Sequence, residues 1–200
     1  MFKNKVIFMC NMKDKPTSGS SKFAKDNKLV TKSLDIVTAR VVKYMIANGI
    51  TLSAAESCTG GLISERVTSV PGASAIYKGG VCSYSESVKM KVLGVREETL
   101  ARYTVYSAQV AEEMSEGVRK LMETQASIGV TGLAGPGGGT EDKPVGTVYV
   151  SVRYKAGHLV RDLALYKEYE KLDREFIRIV TAAEALEMLE QLLKSESEEN

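Results

Sequence analysis

The stretch Ala54-Ala55-Glu56-Ser57-Cys58-Thr59-Gly60-Gly61 joins a short apolar run to a helical pattern that starts near Leu62. It therefore predicts a strand-to-helix turn that carries two hydroxyls, a thiol and a carboxylate. The glycines let a ligand approach the backbone, and the free N–H groups of a helix start can hold an anion. A serine on such a turn can be a nucleophile beside oxyanion donors. It can also simply cap the helix, and these eight residues alone favour capping.

Helical and strand patterns alternate along the rest of the chain. The apolar spacing predicts helices over about 33–48, 62–69, 85–93, 97–102, from 107 onward and from 173 onward. It predicts strands over 50–55, 76–84, 126–131, 146–154 and 159–166, the last two forming a hairpin. This order indicates an α/β fold, namely a three-layer α/β/α sandwich with a mixed, mostly parallel sheet.

The chain of 200 residues suits a single domain with short extensions. Residues 1–30 hold seven lysines and two aspartates and show no clear periodicity, so we predict a basic, disordered extension. Residues 31–195 form the predicted domain. Residues 196–200 are an acidic end that is predicted to fray.

Charge and composition argue against several classes of function. Beyond residue 30 the formal net charge is −3, which argues against a nucleic-acid partner, and no apolar run is long enough for a membrane span. Three cysteines without metal-ligand spacing indicate a reducing compartment, and we expect a cytoplasmic protein. The single histidine, His158, is expected to lie in a solvated turn, so neither a zinc site nor a histidine base is predicted.

Two glycine-rich loops, 59–61 and 132–139, each follow a predicted strand and can border one crevice at the carboxyl edge of the sheet. Neither has the spacing of a P-loop or a dinucleotide-binding turn. Lys89 lies one turn into the helix after strand 76–84. A lysine desolvated in a cleft can act as the general base for a serine, so Ser57 and Lys89 are the one nucleophile–base pair that this chain readily offers.

These features occur within a series of blocks that closely resembles the CinA C-terminal domain family, the nicotinamide-nucleotide amidases. The resemblance covers roughly residues 33–193. It rests on blocks in the same order at 55–61, 71–74, 84–85, 89, 93–95, 107–114, 131–140, 143–148 and 173–174.

The resemblance implies an amidohydrolase that converts nicotinamide mononucleotide to nicotinic acid mononucleotide and ammonia. It implies a Ser57/Lys89 dyad with Tyr84 nearby, no metal or other cofactor, and a homo-oligomer with a small nucleotide as its ligand. We expect Tyr84 to orient the lysine. Other residues are expected to hold the substrate: the N–H groups around Thr59, Gly60 and Gly61 as oxyanion donors, and the loop with Gly132, Gly135, Gly138 and Thr140, assisted by Lys143 or Arg174, as the phosphate site.

The chain departs from the family pattern at several positions. Glu86 replaces the usual asparagine, residues 104–106 are bulkier than the small residues of the family, and Leu172 replaces a glycine. A carboxylate at Glu86 is expected to raise the pKa of Lys89 and so make it a poorer general base, because more of it stays protonated. The alternative is therefore a module of the same fold that binds a nucleotide or a protein partner without hydrolysis.

Overall fold

The computed structural model describes the backbone of residues 19–169 and 172–198, and the side chains of residues 27–169 and 172–196. Seven α-helices lie in these ranges: α1 (Gly19–Asn48), α2 (Leu62–Thr68), α3 (Glu86–Leu93), α4 (Glu97–Tyr103), α5 (Ala108–Leu121), α6 (Leu165–Glu168) and α7 (Arg174–Glu198). The five strands are β1 (Leu52–Glu56), β2 (Tyr77–Cys82), β3 (Ala126–Gly132), β4 (Val148–Tyr154) and β5 (Gly157–Asp162).

The strands form one sheet in the order β2-β1-β3-β4-β5. β1 runs parallel to both β2 and β3, whereas β4 and β5 join as antiparallel strands. Every residue of β1 and β3 is buried, as expected for strands covered on both faces, and β2 alternates between half-buried and exposed residues at the edge. The predicted mixed sheet with a parallel core is confirmed.

Helices cover both faces of the sheet, which confirms the three-layer architecture. α1, α2 and α7 pack on one face and form the larger apolar core with β1, β3 and β4. On the other face α5 lies against β1, β3 and β4, with α3 and α4 outside it. α5 approaches β3 so closely at Gly129 that an added Cβ would lie 2.4 Å from the carbonyl oxygen of Ala111, so only glycine fits there.

The long helix α1 begins at Gly19, well before the predicted start at Ser33. Residues 19–30 of the stretch predicted to be disordered are therefore helical, while residues 1–18 lie outside the described residues. At the other end, α7 continues to Glu198 and includes part of the predicted acidic tail. Apolar periodicity did not predict a helix over residues 19–30, because that stretch is rich in lysine and lacks the regular apolar spacing that marks the buried face of a helix.

The hairpin differs from its predicted form. β5 ends at Asp162 and is followed by the short helix α6, which the sequence analysis did not predict. His158 lies in β5 rather than in a solvated turn: it is half-buried, and its Nε2 lies 3.2 Å from Ser151 Oγ. Burial, together with the nearby positive charge of Arg153, lowers the pKa of His158 against the weaker opposing effect of Glu112 and Glu116.

In the His158→Gln variant, the free energy of unfolding should fall less between pH 7 and pH 5 than it does in the parent. The folded protein keeps the imidazole neutral to a lower pH than the unfolded chain, whose histidine titrates near 6.5. The unfolded state therefore binds more protons below about pH 6.5, and stability falls as the pH drops through the folded pKa. Urea unfolding at pH 7 and pH 5 should show a smaller loss of unfolding free energy in the variant than in the parent. Equal losses would contradict this view of His158.

Candidate active site

The carboxyl ends of β1, β2 and β3 meet at one edge of the sheet, because these three strands are parallel. A cavity of about 460 Å³ opens there, within the range of small-ligand sites. Its lining comes from the segments that follow these strands, from the α4–α5 connection and from the start of α7: Ser57, Cys58, Tyr84, Glu86, Lys89, Val105, Tyr106, Gly132, Leu133, Ala134, Gly135, Gly137, Gly138 and Arg174.

Glu56, the last residue of β1, fixes the turn that carries Ser57. Its carboxylate is 1% exposed and accepts hydrogen bonds from the N–H groups of Gly61, Ile63 and Ser64, at 2.9–3.1 Å, and from the Ser64 hydroxyl at 2.6 Å. These are the first N–H groups of α2, which have no partner within the helix. A negative charge at this end also complements the helix dipole. The glutamate thus ties the end of the strand to the start of the helix.

Ser57 and Lys89 lie in direct contact. Lys89 Nζ is 3.1 Å from Ser57 Oγ and also donates to the carbonyl oxygen of Ser83 at 2.5 Å. The lysine comes from α3, whose first turn is capped by the hydroxyl of Ser85, and its side chain is only 1% exposed. Burial lowers the pKa of Lys89, and the charge of Glu86 opposes this shift without reversing it. At a given pH a larger fraction of this lysine is therefore neutral than of a surface lysine, and only the neutral amine can act as a base.

Cys58, the neighbouring nucleophile candidate, has a different environment. Its side chain is 4% exposed and belongs to the apolar core between the sheet and α1, α2 and α7. Burial raises the pKa of the Cys58 thiol to about 12, so the reactive thiolate is disfavoured. Ser57, with a buried amine against its hydroxyl, is the better nucleophile of the pair.

The start of α7 connects three parts of the site through two arginines. Arg174 donates to the carbonyl oxygen of Gly135 at 2.8 Å and to the Tyr84 hydroxyl at 2.7 Å. Arg178, one turn later, donates twice to the carbonyl oxygen of Thr59. The Tyr84 hydroxyl is thus hydrogen-bonded to Arg174, while the carbonyl of Ser83 holds Lys89, so the expectation that Tyr84 orients the lysine gains no support from these hydrogen bonds.

The expected oxyanion donors around residues 59–61 are mostly occupied. The N–H of Gly60 donates to the carbonyl oxygen of Ser57 at 3.1 Å, and the N–H of Gly61 donates to Glu56. Gly60 and Gly61 both have positive φ, so they shape the turn. Thr59 has a fully buried side chain whose hydroxyl has no partner, and it does not line the cavity. These residues support Ser57 and do not face the cavity.

The glycine-rich loop lies at the cavity as expected, but not all of the residues predicted to bind phosphate are available to a ligand. Gly132, Gly135 and Gly138 line the cavity, as predicted for a ligand-binding loop. Thr140 does not line it and is paired with the backbone of Lys143. Lys143 Nζ donates to the carbonyl oxygens of Tyr103 and Tyr106 and to the Thr104 hydroxyl, so its ammonium group has no proton left for a phosphate. The predicted phosphate roles of Thr140 and Lys143 are therefore not supported.

Three of the five positions that depart from the family pattern lie at the cavity, whereas Thr104 and Leu172 do not line it. Glu86, Val105 and Tyr106 all line it. Burial raises the pKa of the Tyr106 phenol, with smaller contributions from Tyr84, Cys58 and Glu86. Tyr106 is therefore a neutral hydroxyl over the physiological pH range and can donate or accept a hydrogen bond.

The sequence analysis missed three contacts that support the site. These are the capping of α2 by the Glu56 carboxylate, the contact of the Ser83 carbonyl with Lys89, and the contact of Arg178 with Thr59. Glu56 had a signal, because an acidic residue before a predicted helix start commonly caps it. Ser83 acts through its backbone, which carries no sequence signal. Arg178 lies 119 residues from its partner Thr59, so no local pattern could relate the two.

An α/β/α domain with a buried Ser–Lys pair at the carboxyl edge of its parallel strands defines the class of this protein. A family model described as the CinA C-terminal domain matches residues 34–193. The chain belongs to this family.

Relatives and solved structures agree with this assignment. The chain is 48% identical over 147 residues to a protein of Acetivibrio thermocellus described as competence-damage inducible, and 43% identical over 150 residues to a CinA-like protein of Dictyoglomus turgidum. Each match covers 74% of this chain but only about a third of the relative, at 34% and 35%. The crystal structure of a competence/damage inducible protein from Agrobacterium tumefaciens matches with a TM-score of 0.76 at 35% identity, covering 80% of this chain and 95% of that one.

Two further observations concern the described residues. None of the helices within them is both long and apolar enough to cross a bilayer. Within the same residues, no three His, Cys, Asp or Glu side chains are grouped so that they could hold a metal ion.

Glu56→Gln should destabilise the protein by about 1.5–3 kcal/mol, the usual contribution of hydrogen bonds to a charged group. The amide offers one acceptor oxygen in place of two and turns an N–H₂ toward the donors of α2. Urea unfolding measures the change. Glu65→Gln on the same helix is the matched control, because the Glu65 side chain is 59% exposed and pairs only at the surface; it should change stability by less than about 0.5 kcal/mol. Equal effects of the two substitutions would contradict the role assigned to Glu56.

Proposed function

We propose that this protein hydrolyses the carboxamide of nicotinamide mononucleotide to nicotinic acid mononucleotide and ammonia. The observation that carries the proposal is the 3.1 Å contact between Ser57 Oγ and the Nζ of a lysine that is 1% exposed. The substrate class is inferred from the resemblance to nicotinamide-nucleotide amidases, and membership of the CinA C-terminal domain family is consistent with it.

In the proposed mechanism Ser57 attacks the carboxamide carbon while neutral Lys89 accepts the proton of its hydroxyl. The tetrahedral intermediate collapses as Lys89 returns that proton to the departing nitrogen, which leaves as ammonia. Water then attacks the resulting ester, with Lys89 again as the base, and releases the carboxylate product and Ser57. The carbonyl of Ser83 keeps the lysine in place through both steps.

The oxyanion requires a donor near Ser57, and the N–H of Cys58 is the best candidate. In the described part of the chain, this N–H donates to no acceptor in another residue. Hydrolases with a serine on a strand-to-helix turn use the N–H of the residue after the nucleophile for this purpose. Cys58 lines the cavity, so in the proposed mechanism its N–H takes the role first expected of residues 59–61.

In this proposal the phosphate of nicotinamide mononucleotide binds to the glycine-rich loop. Within the described residues, the N–H groups of Gly135, Gly137 and Gly138 have no acceptor in the protein, and all three residues line the cavity. Unpaired N–H groups on a glycine-rich loop form a typical anion site. Arg174 binds the carbonyl of Gly135 and lines the same cavity, and it adds a positive charge there.

A binding module without activity is the weaker interpretation. Glu86 does line the cavity and raises the pKa of Lys89, as that alternative requires. Burial has the larger effect, however, and lowers the lysine pKa overall. Burying an amine costs free energy. A domain that only binds a ligand and catalyses no reaction has no use for a buried amine in contact with a serine hydroxyl.

The direct test is ammonia release from nicotinamide mononucleotide by the parent, Ser57→Ala and Lys89→Ala proteins. Each substitution should lower kcat at least about 100-fold, as expected for loss of a nucleophile or a general base, while circular dichroism remains unchanged. The pH profile of kcat/KM should rise with pH as Lys89 deprotonates, with a midpoint below 10.5 because burial lowers its pKa. Glu86→Gln should move that midpoint lower still. Undiminished turnover in Lys89→Ala would eliminate the lysine as the base.

Arg174→Ala should weaken binding of nicotinamide mononucleotide by about 1.5–3 kcal/mol, the worth of a hydrogen bond to a charged group. Its effect on nicotinamide riboside, which has no phosphate, should be small. Calorimetric titration in the Ser57→Ala background measures both affinities without turnover. Equal losses for the two ligands would show that Arg174 supports the loop and that the phosphate lies elsewhere.

A further inference from the structure

One wall of the cavity is the short segment 103–106, which starts at the last residue of α4 and leads toward α5. Val105 and Tyr106 of this segment line the cavity. Thr104 has a φ of 64°, in the left-handed region that residues other than glycine rarely adopt. Residues 104–106 lie outside regular structure, and such a stretch with an unfavourable backbone angle depends on bonds from other elements to keep its shape.

Each residue of this segment accepts a hydrogen bond from elsewhere in the fold. Lys143 Nζ donates to the carbonyl oxygen of Tyr103 at 3.1 Å, to the Thr104 hydroxyl, and to the carbonyl oxygen of Tyr106 at 2.8 Å. The Thr131 hydroxyl of β3 donates to the carbonyl oxygen of Val105 at 2.7 Å. Three of the four bonds therefore come from one ammonium group.

Lys143 is itself held at the end of the glycine-rich loop. Its N–H donates to the Thr140 hydroxyl at 3.1 Å, and its carbonyl oxygen accepts from the N–H of Thr140 at 3.0 Å. Its side chain thus joins the loop that contributes Gly132, Gly135 and Gly138 to the cavity to the wall that contributes Val105 and Tyr106. The lysine does not line the cavity.

We propose that Lys143 is a positioning residue that sets the specificity of the cavity by fixing the wall formed by Val105 and Tyr106. All three ammonium protons are bound by protein acceptors, so the charge acts on the segment and not on the ligand. Substrate selectivity then depends on a residue that never touches the substrate. The kinetic consequence rests on the proposed amidase activity, whereas the positioning itself does not.

Amide hydrogen exchange tests the positioning directly. In Lys143→Met, exchange of the peptide spanning residues 101–109 should become at least about tenfold faster, because the segment loses three bonds. Exchange of β3 should stay as in the parent. Lys143→Arg should restore most of the protection, since a guanidinium group can also donate to several acceptors. Lys91→Met is the matched control, because Lys91 is exposed and should leave exchange at residues 101–109 unaltered.

Kinetics with nicotinamide mononucleotide separate positioning from a merely structural role. Lys143→Met should raise KM at least about tenfold and change kcat less than about threefold, because Ser57 and Lys89 keep their contact. In a Tyr106→Ala protein, where the wall is already incomplete, adding Lys143→Met should raise KM less than about twofold further. A fully additive increase would mean that the lysine acts elsewhere and would overturn the proposal.

Two other results overturn the proposal regardless of substrate. One is unchanged hydrogen exchange at residues 101–109 in the Lys143→Met protein. The other is exchange in β3 that is accelerated as much as exchange at residues 101–109, which would indicate general destabilisation. If the parent protein releases no ammonia from nicotinamide mononucleotide, the amidase assignment fails. The exchange results on residues 101–109 then still decide whether Lys143 holds the wall.

Discussion

The buried carboxylate of Glu56 is the contact on which the arrangement of this site depends. It ends the central strand β1 and binds the first N–H groups of α2, so the intervening residues must turn within a short distance. Ser57 lies at the start of that turn and is thereby directed toward the cavity. A buried charge is costly unless fully hydrogen-bonded, and here four donors, three of them from backbone N–H groups, satisfy it. The same contact shapes the backbone and presents the proposed nucleophile.

The surroundings of Lys89 disfavour its charged form, whereas those of Glu56 stabilise its carboxylate. Its amine is buried with two oxygen partners, Ser57 Oγ and the carbonyl of Ser83, and neither carries a formal charge. Such a setting disfavours the ammonium form, which is what a general base at neutral pH requires. Glu56 is thus stabilised by surrounding donors, whereas Lys89 has no carboxylate in hydrogen-bond contact among the residues that the structure describes.

Local sequence patterns predicted the fold well because its elements have strong local signals. The small apolar residues of β1, the serine cap before α3 and the apolar spacing of α7 each identify an element without tertiary information. The pairing of Ser57 with Lys89 was also foreseen, because both follow strands whose carboxyl ends must meet. The roles of Tyr84, Thr140 and Lys143 were not, because a side chain at a strand end or in a loop can reach several partners. Only the fold determines that Lys143 reaches the 103–106 segment and that Tyr84 reaches Arg174.

Helix α7 supplies Arg178, which holds the carbonyl of Thr59 across 119 residues of chain. During synthesis the turn around Ser57 emerges from the ribosome long before this partner exists. The face of the sheet that α7 covers must likewise wait for it, with the apolar residues of β4 left uncovered in the meantime. Contacts of such sequence separation form late and slow the folding of a chain. Assembly of the site is therefore coupled to completion of the domain, and a nascent chain that ends before residue 178 contains Ser57 and Lys89 without the contact that Arg178 makes to the turn after β1.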